Sequence, residues 1–360
     1  MAVLIASCAS TLRVYEEALT KTASARYSVL FMIHGDANYV FHDTVGIAHF
    51  ANEEALAKAH TVAQQNPEAE VFIFHDRPKS NAFLFFPQRD GDFFYYRNGR
   101  LAATHSYWRD EGVSRFATQA ALYNQFSITG TPGTTDTSNM SGADARTSDS
   151  VVRMFVYFGH EIPEVEGLHY DASYPDSTLT IKKFSKDFQV FTANTKPFDL
   201  GVLSTCFNGT PYSVSSFAPY TRYLIASPTN VHLSYFDMAP LEHLERSLSN
   251  SDVHNFARKV ATHAFNKLSS DVQTVVSVVL YDIQAVEQYV TSVNDAYMSS
   301  LLAIQSAPTL TLAHCDCADQ APFASPLMKN GVEVLYRPAQ FGRDANKLQH
   351  SGWACWKLSK

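Results

Sequence analysis

Short apolar runs, each closed by turn residues, recur along this chain. Residues 27–33, 71–74, 151–158, 200–203, 223–226 and 275–280 are of this kind. A run without polar alternation has no solvent face, so it reads as a strand covered on both sides, the mark of a parallel sheet. Helical spacing separates these runs. Residues 44–65 are alanine-rich and stop at Asn66-Pro67, and residues 112–126, 241–248, 251–268 and 282–306 follow the same period, with Ser251-Asp252 as a start signal. The strand, helix and strand within residues 27–74 make a right-handed parallel crossover the default. Residues 81–97 break the pattern: two aromatic runs flank Arg89-Asp90-Gly91-Asp92, a hairpin signature and a small antiparallel accessory to the sheet. Residues 332–337 and 351–357 read as a late strand pair. Residues 129–150, rich in Gly, Ser, Thr and Asp, read as a loop. The expectation is an α/β fold with a mostly parallel sheet flanked by helices, a small antiparallel hairpin and a helical C-terminal region.

Composition narrows the class. In 360 residues, 46% are hydrophobic and 18% charged, as in globular rather than disordered proteins. The formal charge of -7 argues against nucleic acid as a partner, because such proteins present a basic surface. Neither standard glycine-rich phosphate loop is present, which removes the main sequence support for nucleotide binding.

The chemistry-bearing residues sit where the runs end. Cys206 follows the run at 200–203, and Gly159-His160 follows the run at 151–158. Open α/β sheets place their chemistry outside the carboxyl ends of their strands. Two such strands, each delivering one residue to the same edge, point to a Cys/His dyad.

Around this pair the chain resembles the clostripain-like cysteine peptidases of the caspase-like clan. The resemblance rests on an ordered set: Gly159-His160, Tyr170-Asp171, Leu179-Thr180, Asp199-Leu200, Cys206, Gly209 and Tyr223-Leu224-Ile225-Ala226-Ser227. Looser likeness runs from Ser28-Val29-Leu30-Phe31 with Asp36 to the helices after Asp252. It implies a caspase-like catalytic domain over residues 27–237, preceded by an N-terminal segment (1–26) and followed by a helical region with late strands on the same core (238–360). His160 is preferred over the other His-Gly pair, His34-Gly35, because it lies just upstream of the cysteine strand. The implied activity is hydrolysis of peptide bonds in a peptide or protein, with Cys206 as nucleophile and His160 as base. The oxyanion would be held by backbone N–H groups at Glu161 and Cys206.

Two positions depart from the family pattern. Glu161 stands where the family has Gly, which sets a carboxylate beside the nucleophile. Ser204 stands where the family has Asp two residues before the Cys, so a preference for Arg or Lys is not carried over. Ser204, Thr205 and Asp237 are the candidate substrate-binding residues, and Asp237 also reads as a helix cap. These departures keep an alternative open: a catalytically inactive homologue acting as a binding or surface protein. No cofactor is required and no metal ligands are assigned. Calcium dependence is implied by the resemblance, with Asp171 and Asp176 available to line the site or a cation. Internal processing, also implied by the family, would fall in residues 129–150 or 182–196.

Ile5-Ala6-Ser7-Cys8 fits a bacterial lipoprotein cleavage box, although a basic n-region is missing. On that reading the start codon is assigned too far downstream, Cys8 carries a lipid that attaches the protein to a membrane, and residues 9–25 form a tether. The protein then belongs in the periplasm or cell envelope. On the alternative, an ordinary apolar N-terminus, it is cytoplasmic. In the tail, His314, Cys315, Cys317 and Cys355 leave three states open: zinc, a disulfide from Cys355 to Cys315 or Cys317, or unpaired thiols.

Overall fold

The strand on which the sheet is built, β2 (Tyr27–His34), is buried along its whole length. It belongs to a computed structural model that describes residues 12–19, 25–37, 39–82, 85–109, 115–128, 151–166, 170–175, 179–193, 195–248, 252–306 and 311–359. Before it come the short edge strand β1 (Arg13–Val14) and the one-turn helix α1 (Glu16–Leu19). Arg13 and Val14 pair with Thr104 and Ala103, within the span that the lipoprotein reading makes a tether. Cys8 lies outside the described residues.

After β2, the hairpin β3 (Val40–His42) and β4 (Ala48–Phe50) leads into α2 (Ala51–Gln65). The helix therefore starts later than its alanine pattern suggests. Asp43 Oδ1 accepts the N–H groups of Val45 (3.0 Å) and Ile47 (2.8 Å), and this local turn competes with the first helical turn. Next come β5 (Ala69–Asp76), the minimal hairpin β6 (Asn81–Ala82) and β7 (Phe86–Pro87), then β8 (Gly91–Arg97) and β9 (Arg100–Tyr107). Residues 93–96 do not pair back onto residues 85–86, as the aromatic pattern suggests. They pair with β5 and, through a tight turn, with β9. The turn is Asn98-Gly99, both residues at positive φ (53° and 70°), the conformation that two-residue hairpins require.

The remaining elements run α3 (Ala117–Phe126), β10 (Val152–Phe158), α4 (Ile181–Phe188), β11 (Phe198–Ser204), α5 (Pro211–Phe217) and β12 (Thr221–Ala226). The chain continues with α6 (Leu244–Leu248), α7 (Val253–Asp271), β13 (Val276–Asp282), α8 (Ile283–Ser306), β14 (Thr311–Asp316), β15 (Val332–Arg337) and β16 (Ala354–Ser359). The segment carrying Lys182 and Lys183 is thus helical, while residues 129–150 and Asp176 lie outside the described residues.

Ten strands form one sheet in the order β1-β9-β8-β5-β2-β10-β11-β12-β13-β15. The five central strands, β5 to β12, are parallel, and the flanks are antiparallel. Side chains alternate across it. Leu30 and Met32 face a layer built from α3, α4, α5 and α8, whereas Val29, Phe31 and Ile33 face α2, α6 and α7. This is why the central runs are apolar on both faces, with Ser28 and Arg153 as buried polar exceptions. α7 starts where Asp252 accepts the N–H of Asn255 (2.8 Å). Among the described residues, no helix is long and apolar enough to cross a membrane.

The late strands do not pair with one another. β15 joins the main sheet beside β13, while β16 pairs with β14 in a separate ladder. β14, with its His-Cys-Asp sequence, lacks the apolar run that marks the other strands. Cys317 and Cys355 form a disulfide across a separation of 38 residues, and Cys315 is a free thiol. Two of the candidate zinc thiols are therefore bonded to each other. Closing a loop of that length stabilises a fold by about 3–4 kcal/mol in the chain-entropy account. Replacing Cys317 and Cys355 together by Ala is expected to lower the urea-unfolding free energy by about that much, with the far-UV spectrum unchanged.

Candidate functional site

The ladder between β10 and β11 pairs Phe158 with Ser204, so His160 and Cys206 each lie two residues past paired positions on adjacent strands. Gly159 N–H donates to Ser204 O (3.4 Å), carrying the pairing one step further. Asn208 then ties the two loops together. Its side chain accepts from Ile162 N–H (3.0 Å) and from Thr205 Oγ1 (2.6 Å), and donates to Ile162 O (3.0 Å). Buried and reciprocally bonded, it fixes the loop after β10 against the loop after β11. Sequence reading passed over it as a turn residue, since Asn-Gly is a turn signal in its own right. Gly209 is needed for a different reason. A Cβ there would lie 2.7 Å from Pro228 N and 2.6 Å from Tyr281 Oη.

The thiol of Cys206 donates to Asn230 Oδ1 (3.2 Å) and accepts from Val231 N–H (3.3 Å). His232 and Leu233 both take positive φ (55° and 63°), a costly conformation for residues with a Cβ. The turn so formed directs the N–H groups of residues 231–233 towards the sulfur, where they favour the thiolate. Burial outweighs them. It pushes the thiol up to about 11, with Glu161 adding to the rise.

His160 turns towards β2. Its Nε2 lies 3.7 Å from Asp36 Oδ1, and its ring packs 4.7 Å from that of Tyr39. Burial lowers its basicity, Asp36 and Asp171 oppose that shift, and His34 adds to it. The imidazole is therefore neutral at pH 7. The polar contacts of the thiol go to Asn230 and Val231 and those of His160 to Asp36, so the two residues share the edge without being joined in a resting ion pair.

Glu161 differs from its sequence-based reading. Burial, then Glu164, push its carboxyl up to about 8, so at neutral pH it is mostly uncharged. Its Oε1 lies 3.5 Å from His314 Nε2, a ring stacked on Phe207, tilted against Trp356 and held neutral by burial. Glu164 beneath it is fully enclosed. It accepts from Thr210, Ser213 (3.0 Å), Tyr297 (2.8 Å) and Trp356 Nε1 (2.6 Å), joining α5, α8 and β16 behind the site.

The three candidate specificity residues are committed to structure. Ser204 Oγ accepts from Phe236 N–H (2.8 Å), and the narrow space beside it is lined by Phe31, Ile33, Val156, Phe158, Tyr235 and Met238, with Lys58 also on its wall. Thr205 donates to Asn208. Asp237 Oδ1 accepts from Ala239 N–H (2.7 Å), capping the turn that follows, and has Lys58 (3.7 Å) and His263 (3.4 Å) as neighbours.

Beside His160 lies a cluster of which the sequence offers only Asp171 as a site residue. His34, Asp36 and Asp171 are each 2% exposed. Arg109 bonds to Asp171 (2.8 Å) and lies 3.3 Å from Asp90, and Arg115 approaches Asp171 (3.5 Å). Asp76 is partly buried and, against that burial, the hydrogen bond to His34 and the charges of Arg109 and Arg115 hold its carboxyl down at about 2. His34-Gly35-Asp36 had the available signal, a strand ending in two ligand-type residues.

A chain built this way has the fold of the C11, clostripain-type cysteine proteases, a caspase-like sheet with a small antiparallel hairpin. Similar structures include an inactive zymogen C11 protease from Parabacteroides distasonis and a secreted C11 cysteine protease from Bacteroides thetaiotaomicron, iotapain. The zymogen is 12% identical, with 92% of each chain covered and a TM-score of 0.58. Iotapain is 10% identical, covering 92% of this chain and 93% of its own, with a TM-score of 0.57. A secreted C11 protease of the same organism in complex with an irreversible peptide inhibitor is 12% identical, with 93% and 89% covered and a TM-score of 0.54. No protein-family model matches the chain, and no curated protein matches it significantly.

Glu161 ionises below the thiol, so it is already charged when Cys206 loses its proton and opposes that loss. In Glu161→Gln the midpoint for alkylation of Cys206 by iodoacetamide, followed against pH, is expected to fall. An unchanged midpoint would mean that the carboxyl has no electrostatic hold on the sulfur.

Proposed function

We propose that this protein is a cysteine endopeptidase in which Cys206 is the nucleophile and His160 the general base. The observation that carries this reading is the register that sets both residues two positions past Phe158 and Ser204 on adjacent parallel strands. His160, neutral at pH 7, takes the thiol proton as sulfur attacks the substrate carbonyl carbon. The tetrahedral oxyanion is held by the backbone N–H groups of Glu161 and Cys206, and His160 returns its proton to the leaving amine. Water then hydrolyses the thioester. The resting state is a neutral imidazole and a protonated thiol, so substrate must release the sulfur from Asn230 before the proton moves.

The substrate is a peptide, in keeping with the peptide inhibitor carried by one similar protease. A basic side chain before the scissile bond is not favoured. Ser204 offers no charge and its oxygen is already bonded, while Asp237 is occupied by Ala239 and Lys58. Calcium is not needed for any of these steps, although the family resemblance keeps it in the test.

A second reading, a non-catalytic relative that binds peptides, is favoured by the thiol at about 11. The discriminating experiment incubates purified protein with a mixture of unbiased peptides, with calcium and reductant present. Cleavage is expected from the wild type and lost in Cys206→Ala and His160→Ala. Absence of cleavage, together with no labelling of Cys206 by an irreversible thiol-directed peptide, would leave the binding reading standing.

A further inference from the structure

We propose that His34, Asp36 and Asp171 form a binding site for a divalent cation of the zinc class, beside His160 and independent of the peptidase reading. Among the described residues they are the group whose ligand atoms come together closely enough for this, all within 4.8 Å of one another. The two distances from the imidazole fit one metal. His34 Nε2 lies 3.3 Å from Asp171 Oδ2 and 3.4 Å from Asp36 Oδ1. Tetrahedral bonds of about 2.0–2.1 Å place neighbouring ligand atoms about 3.3–3.4 Å apart.

The independent observation is the state of His34 Nε2. It is buried and has no hydrogen-bond partner, yet it faces two carboxylate oxygens. The other nitrogen decides what it carries. Nδ1 lies 3.0 Å from Asp76 Oδ2 and 3.3 Å from Arg115 Nη2. Asp76 only accepts and Arg115 only donates, so Nδ1 can satisfy one of them. The shorter contact, to Asp76, calls for a proton on Nδ1. With that proton placed, Nε2 faces two oxygens that only accept, a position that either a second proton or a metal ion would fill, and the metal satisfies both carboxylates at once.

Each ligand also has the outer partner that metal sites use to fix their ligands. Asp76 holds His34, Tyr39 Oη donates to Asp36 Oδ1 (2.8 Å), and Arg109 donates to Asp171 Oδ2 (2.8 Å). The second oxygen of Asp36 accepts from Ala172 N–H and that of Asp171 from Ser173 N–H (2.9 Å), so both carboxylates are held in place. Formal charge agrees. Among the described residues, Asp36, Asp76, Asp90 and Asp171 have Arg109 and Arg115 as their arginine partners, an excess of two negative charges, imidazoles counted neutral, that one dication would neutralise. An imidazole with two carboxylates suits zinc or cobalt better than calcium, which takes six to eight oxygens. Three protein ligands leave a fourth position for water, as open zinc sites do.

The test titrates cobalt(II) into full-length protein freed of metal with a chelator. One equivalent is expected to give the visible absorption of a tetrahedral site without a thiolate charge-transfer band, and zinc should displace it. Asp76→Asn should weaken zinc binding about 10–100-fold, as loss of an outer partner does elsewhere. His34→Gln should abolish the cobalt band, whereas His254→Gln, on the far helix, should leave it intact. The proposal fails if no band appears, or if folded His34→Gln binds cobalt as the wild type does. A sulfur charge-transfer band in the wild type would also overturn it, whatever the variants do, by placing the metal on Cys206 or Cys315.

Discussion

β2 pairs residue for residue with β10 from Tyr27 to Ile33, and β10 with β11 from Met154 to Phe158, so three buried strands end level with one another. The rest of the site depends on that common edge. It brings His34, His160 and Cys206 to one line, and it surrounds them with apolar strand ends and the helices on either side. Burial is accordingly the largest influence on the thiol, on His160 and on Glu161, and in each case it favours the uncharged form. Where charge survives, as at Asp76 and Asp171, it does so because arginines and an imidazole are packed against it.

This edge gives two neighbouring environments of opposite character. Around Cys206 the compensating groups are dipoles: an amide oxygen and three backbone N–H groups held in place by two residues of unfavourable backbone conformation. Around His34 they are full charges. His160 stands between the two, near enough to Asp36 to feel its carboxylate but mostly neutral because it is buried. A cysteine peptidase built on such an edge begins from a neutral pair and has to create charge during the reaction, within a setting of dipoles already aimed at the sulfur.

Much of the fold could be read from the sequence because a doubly covered strand leaves a plain trace. Residues 27–33, 151–158 and 200–203 are apolar on both faces apart from Ser28 and Arg153, for they face helices on both sides. The candidate nucleophile and base were legible for the same reason, as the first chemical groups past those runs. The pairing of β8 with β9 depended on two residues, Asn98 and Gly99, rather than on the aromatic runs beside them. The partner of β16 could not be read, since β14 mixes polar and apolar residues without an apolar run. The cluster around His34 was hidden differently. Its members come from five separate segments, near residues 34–36, 76, 90, 109–115 and 171, and no spacing in the chain records that they meet.

Glu164 and Gly209 place a further demand on this architecture. Trp356 donates its indole N–H to Glu164, and Ala354 N–H bonds to Gly209 O, so the wall behind Cys206 is finished by residues made long after the cysteine itself. On a ribosome, the strand bearing the nucleophile emerges well before β16 does. During that interval the thiol has no completed backing and the Cys317–Cys355 bridge cannot close. Synthesis order thus acts as a clock: a nascent chain carries Cys206 for some time before it can carry a finished site.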